Sequence, residues 1–286
     1  MSGPARGEMF EVEGVRLRVV SEGEGEPVLI LHGFTGSAES MEGVSDRLRA
    51  HFRVHRVDLV GHGQSESPSN AEAFTMPQCV AQLHALLGAL DLPRVSVIGY
   101  SMGGRAALSL AVAHPDRIRR LVLVGASPGL AGAEERAARR KADAQLADRI
   151  EREGLEAFVD QWMANPLFAS QVRLGEAALA RARAERLRGS VSGLTRSLCG
   201  MGTGSMPPLH DALAHLALPV LCVVGEEDEK FLAIARRMVA ALPLGELEVI
   251  AESGHAAHLE QPEAFAQAFM AFVSSTADAA VREGER

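Results

Sequence analysis

The sequence predicts an α/β protein: a mostly parallel, doubly wound sheet with an antiparallel start and one large helical insertion. Three observations carry that expectation. Short strand-like runs recur along the chain, helical stretches lie between several of them, and the alternation breaks once, from Gly129 to about Leu218. At 286 residues the chain can bury one large core, or one core with an inserted subdomain.

Residues 9–12 and 15–20, split by Glu13-Gly14, read as an opening hairpin. Runs at 28–31, 54–57, 95–98, 121–124, 220–224 and 247–250 read as unbroken apolar strands covered on both faces, as in a parallel sheet. Helices are expected over 38–50, 77–90, 102–114 and 231–241. From 129 to 218 the text is Ala-, Arg- and Glu-rich and helical, punctuated by Gly154, Pro166, Gly175 and Gly189. The expected organisation is a core of residues 1–128 and 219–275, a helical lid of 129–218, and a small polar tail, 276–286, that frays. Right-handed crossovers would gather the working residues at the carboxyl ends of the strands.

Composition narrows the function. Hydrophobic content of 47% and charged content of 23% are ordinary for a soluble globular chain. One Trp and one Tyr give no stacking platform for bases, and a net charge of −8 opposes a phosphate backbone, so a nucleic-acid partner is excluded. Cys79, Cys199 and Cys222 are far apart and lack zinc-ligand spacing, so they read as small buried hydrophobes in a reducing compartment. No apolar leader opens the chain and no run approaches membrane-spanning length, so the expectation is a soluble cytoplasmic protein with no membrane insertion, its oligomeric state left open. Charge is uneven: residues 129–218 hold 12 Lys+Arg against 11 Asp+Glu, the remainder 17 against 26. The lid therefore has cations to offer an anionic ligand, although a solvated helix face explains any single one of them as well.

Gly99-Tyr100-Ser101-Met102-Gly103 lies between an expected strand and an expected helix, where a tight turn holds a serine hydroxyl exposed above the sheet. The bland alternative is a plain turn in a dinucleotide-type sheet. A serine hydroxyl needs an imidazole as base and a carboxylate to fix that imidazole's tautomer. After the strand at 220–224 come Glu226, Glu227 and Asp228, and the spacing favours Asp228. After the strand at 247–250 come His255 and His258, of which His255 directly follows a glycine. A metal-binding His-x-x-His pair is the competing view, but no acidic third ligand stands at useful spacing. An oxyanion hole needs two backbone N–H groups, and these are expected from Met102 and from Phe34 in His32-Gly33-Phe34-Thr35-Gly36. The stretch from Asp58 to Ser65 is expected to be structural and to rim the site.

These segments resemble the α/β-hydrolase superfamily along the whole chain. Within it they are similar to the 2-succinyl-6-hydroxy-2,4-cyclohexadiene-1-carboxylate (SHCHC) synthases of menaquinone biosynthesis. The resemblance rests on Tyr100-Ser101-Met102-Gly103-Gly104-Arg105, on Ser127-Pro128-Gly129-Leu130 with Glu134-Glu135-Arg136-Ala137-Ala138-Arg139, and on Trp162 with Pro166-Leu167-Phe168-Ala169-Ser170. Met201-Gly202-Thr203-Gly204 and the acid loop from Gly225 to Phe231 extend it, whereas Met206-Pro207-Pro208-Leu209-His210 departs from the family's pattern. The resemblance implies a lyase that eliminates pyruvate, with Ser101 as base and with Tyr100, Arg105, Arg139, Trp162 and Arg188 against a small carboxylate substrate. Arg181, Arg183 and Arg186 crowd the same helix as Arg188. No metal, nucleotide or organic cofactor is expected. An ester or carbon–carbon hydrolase with the same triad, and a non-catalytic binding module, are the rival readings.

Overall fold

Glu13 and Gly14 both hold positive φ, 47° and 73°, the two-residue turn that matches the natural twist of paired strands. They fold β1 (Glu8–Val12) antiparallel onto β2 (Val15–Glu22). The computed structural model describes residues 7–284, with side chains described as far as Thr276. The other strands are β3 (Glu26–Leu31), β4 (Phe52–Val57), β5 (Val95–Tyr100), β6 (Ile118–Val124), β7 (Val220–Gly225) and β8 (Gly245–Ile250). They make one sheet in the order β1-β2-β4-β3-β5-β6-β7-β8, antiparallel at β1, β2 and β4 and parallel from β4 through β8.

Helices α1 (Glu42–Leu48), α2 (Met76–Ala89) and α3 (Met102–Ala113) alternate with the first strands. Then come α4 (Ala133–Met163), α5 (Glu176–Arg186) and α6 (Val191–Met201), and finally α7 (Glu229–Ala241), α8 (Ala257–Glu260) and α9 (Pro262–Gly284). Successive strand residues point to opposite faces. Leu29, Leu31, Val97, Leu121 and Leu123 pack with α2, α3 and α7, while Val28, Ile30, Ile98, Val122 and Val124 pack with α1 and α9.

All of the residues between β6 and β7 are without strand, and α4, α5 and α6 lie there. They keep a small core of their own around Ile150, Phe158, Val159 and Leu194. Glycine and proline divide this segment where the sequence punctuates it. Gly154 breaks α4 with φ 86° and ψ 170°, Pro166 opens a 3-10 stretch, and Gly175 precedes α5. Gly189 stands just before Ser190, whose hydroxyl caps α6.

Three expectations need correction. The run 54–57 is not apolar throughout: His55 and Arg56 are buried in β4, His55 on the Ser21 hydroxyl at 2.8 Å and Arg56 on Glu22 at 2.7 Å. The run 247–250 is not covered on both faces, because β8 is the sheet's edge and leaves Val249 39% exposed. The tail from Thr276 does not begin as a frayed end, since α9 continues to Gly284 and the Thr276 hydroxyl meets the Arg120 guanidinium. Residues 285–286 of that tail lie outside the described residues.

Candidate active site

Strands β3 and β5 are neighbours although β4 lies between them in sequence, so the loops that follow them emerge side by side. This is the switch point at which doubly wound sheets bind ligands. Ser101 occupies it at φ 51° and ψ −106°, the pivot between β5 and α3, with its N–H donated to the Val124 carbonyl at 2.8 Å. So sharp a turn needs glycine on both sides. A Cβ on Gly99 would come within 2.5 Å of the Gly103 carbonyl oxygen, and one on Gly103 within 2.4 Å of the Leu31 and His32 carbonyls.

His255, from the loop after β8, places Nε2 3.1 Å from Ser101 Oγ and Nδ1 2.7 Å from Asp228 Oδ2. Asp228 follows β7 and caps α7, its Oδ1 accepting the Phe231 N–H at 3.2 Å. With both oxygens engaged and only 7% of the residue exposed, the carboxylate cannot turn away. Of the other acids in that loop, Glu227 reaches outward to Arg173 at 3.0 Å, and the carboxylate of Glu226 receives the Glu252 N–H at 3.3 Å. Glu260 steadies the imidazole from behind, accepting the N–H groups of Gly254 and Ala256 on either side of it.

His258 does not join the triad. It is 1% exposed, packs its ring 4.3 Å from that of Tyr100, and burial, then the nearby His255, pushes its pKa down to about 3. Among the described residues no three His, Cys, Asp or Glu side chains cluster as a metal site.

A cavity of about 220 Å³ lies against Ser101 and His255. Phe34 and Met102 line it, and among the described residues their backbone N–H groups have no protein acceptor, as an oxyanion hole requires. Tyr100, Arg105, Arg139 and Trp162 line it too. Trp162 stands edge-on to Phe34 with ring centres 5.3 Å apart. Burial raises the Tyr100 hydroxyl's pKa, so that group stays neutral. Burial, and then the charge of Arg139, push Arg105 down to about 10, which still leaves it cationic at neutral pH.

Arg188 is the exception among the expected site residues. It borders a separate cavity of about 60 Å³ beside Ser37, His62 and Glu185. Arg186 is the α5 cation that acts electrostatically on Tyr100. Sequence reasoning also missed Lys230 at the cavity and Asp143, which accepts the Arg139 Nε–H at 2.8 Å. An acid four residues beyond an arginine on a helix is a readable signal for that pair. Arg136 and Arg140, the neighbouring arginines of α4, turn to the backbone carbonyls of Leu130 and Gly204. Asp58 is structural, binding the N–H groups of Ala38 and Gln64 and the Arg18 guanidinium.

A strained serine, a buried carboxylate–imidazole pair and two free N–H groups at the switch point define a triad enzyme of the α/β-hydrolase type. The alpha/beta hydrolase fold family model matches residues 26–262. The SHCHC synthase of Enterobacter is 33% identical over 84% of this chain and 88% of its own length. A Bacillus subtilis protein provisionally named for the same activity is 42% identical over 92% of this chain and 96% of its own. The structure of MenH from S. aureus superposes with a TM-score of 0.86 at 29% identity, covering 91% of this chain and 98% of that one. The chain therefore belongs to the α/β-hydrolase fold family and, within it, to the SHCHC synthases.

Proposed function

We propose that this protein is a carbon–oxygen lyase that eliminates pyruvate from 2-succinyl-5-enolpyruvyl-6-hydroxy-3-cyclohexene-1-carboxylate to give SHCHC. One observation above all supports it: a Ser–His–Asp triad opens into a cavity that also holds the guanidinium groups of Arg105 and Arg139. An esterase for neutral substrates has no use for two cations beside its nucleophile, whereas a polycarboxylate substrate does.

In this reaction His255 Nε2 takes the Ser101 proton as Ser101 Oγ removes a proton from the substrate ring. The electron pair left on carbon shifts through the ring and breaks the bond to the enolpyruvyl oxygen. The departing enolpyruvate receives the proton held on His255 and leaves as pyruvate. Negative charge growing on the substrate meets the N–H groups of Phe34 and Met102. Asp228 stabilises the imidazolium and fixes its tautomer. Every proton is returned, and no redox partner is consumed.

A cytoplasmic location belongs to the same proposal, supported by the three free cysteines. Among the described residues no helix is long and apolar enough to cross a membrane. The deciding experiment measures pyruvate release from the pathway substrate beside a panel of p-nitrophenyl esters. Pyruvate release abolished by Ser101→Ala, in a variant with an unchanged circular dichroism spectrum, is the expected result. Ester turnover without pyruvate release would instead make the enzyme a hydrolase of the same fold. Ser101→Ala activity within about tenfold of wild type would exclude the triad mechanism.

A further inference from the structure

Arg105 from α3 and Arg139 from α4 bring two like charges to one wall of the cavity. Asp143, one turn beyond Arg139 on α4, bonds to Arg139 and lies close enough to Arg105 to act on its charge. Its side chain is 5% exposed, Oδ1 accepts the Arg139 Nε–H at 2.8 Å, and Oδ2 has no partner among the described protein groups. Gly202 leaves that second oxygen room that a side chain would take, since a Cβ there would come within 2.6 Å of it. Arg105 in turn donates from Nη2 to the carbonyl of Met201, the preceding residue, at 3.2 Å. Arg105 is thus fixed to the carboxyl end of α6 and Arg139 to Asp143 on its own helix, each by a single N–H. The remaining N–H groups of Arg139 have no protein acceptor among the described residues.

We propose that Asp143 is a positioning residue: it holds Arg139 by Nε, beside Arg105, so that the two guanidinium groups form one preset seat for a substrate carboxylate. The inference deepens the proposed function and rests on its carboxylate-bearing substrate. A carboxylate bound edge-on by a guanidinium uses two parallel N–H groups, and the Nη edge of Arg139 is the one left free. Asp143 also offsets the repulsion between the two arginines.

Positioning and simple countercharge predict opposite results. If Asp143 only dilutes the positive charge, Asp143→Leu leaves a more cationic cavity that binds anions more tightly. If it positions the arginines, the same variant, similar in size but without an acceptor for the Arg139 Nε–H, binds anions more weakly.

Calorimetric titration of the full chain with succinate decides between them. Asp143→Leu and Asp143→Ala are expected to weaken succinate binding about tenfold or more, the loss of one hydrogen bond to a charged group. Asp143→Glu and Asp143→Asn, which keep an oxygen that can accept from Arg139, restore part of it. In the pyruvate assay KM rises by the same factor while kcat changes less than about threefold, because the triad is untouched. Unchanged or tighter succinate binding in Asp143→Leu overturns the proposal, as does a wild type that binds no succinate. The two readings fail separately. A wild type that binds succinate through Asp143 but releases no pyruvate removes the proposed reaction alone. A wild type that releases pyruvate beside an Asp143→Leu with unaltered affinity removes the seat alone.

Discussion

Ser101 holds a backbone conformation, φ 51° and ψ −106°, that residues with a Cβ rarely adopt. The strain is maintained by β5 and α3 and leaves Oγ against His255 rather than packed in the core. Arg139 is the residue at which lyase and esterase part. It is 44% exposed, so in the free protein solvent screens its charge, and its value appears only when a bound carboxylate displaces that solvent. Arg139→Ala should lower kcat/KM for the pathway substrate by about thirtyfold or more, the low end for a desolvated charge pair. Arg139→Lys should recover little, since an ammonium cannot offer two parallel N–H groups. Steady-state kinetics with a small neutral ester provides the control, because that substrate has no carboxylate to lose. An equal loss on both substrates would mean that Arg139 supports α4 instead. The triad was readable in the chain because its chemistry demands three residue types in a fixed order after three strands. Arg188 was not, because α5 ends at Arg186 and the turn that follows sends the next side chains elsewhere.

At the scale of elements, the central strands were readable from sequence because burial on both faces leaves mostly apolar residues in β3, β5 and β7, Glu26 and Ser96 excepted. β4 and β8 escape that rule for different reasons. β4 pairs its polar residues with side chains from β2, and β8 has a neighbour on one side only. The inserted segment depends on its breaks as much as on its helices. Gly154 bends α4 so that Arg139 and Trp162, on the two sides of the break, both reach the cavity over Ser101. Its φ of 86° and ψ of 170° belong to a region open essentially to glycine alone. A Cβ there meets nothing within 4 Å, so Gly154→Ala suffers backbone strain without a clash. The expected destabilisation is about 1–3 kcal/mol by urea unfolding, with KM for the pathway substrate raised as the two halves of α4 realign. A variant as stable as wild type would show that α4 tolerates a straight path.

Across the whole molecule, four buried histidines tie stability to pH. His32 is committed to its neutral form, with Nδ1 toward the Gly33 carbonyl at 2.8 Å and Nε2 accepting the Leu59 N–H at 3.1 Å. Burial pushes His32 and His55 from the ordinary 6.5 down to about 4, and His62 and His258 down to about 3. Below pH 6.5 the unfolded chain therefore takes up protons that the native protein declines, so stability is greatest above 6.5 and falls as pH drops toward 4 and then 3. Burial raises the carboxyls of Asp58, Asp143 and Glu185, which act in the opposite sense, while Glu22 and Glu39, held down against burial by the hydrogen bonds of Arg56 and Arg18, act in the same sense as the histidines. A single replacement isolates one contribution. His258 has no hydrogen-bond partner to lose, and His258→Gln keeps a side chain of similar size that does not titrate. Between pH 7.5 and 5.5, urea unfolding should show wild type losing about 1 kcal/mol more stability than His258→Gln, the linkage expected of one histidine held neutral. Parallel pH profiles for the two proteins would mean that His258 is protonated inside the fold, and its ring against Tyr100 would then be that of an imidazolium.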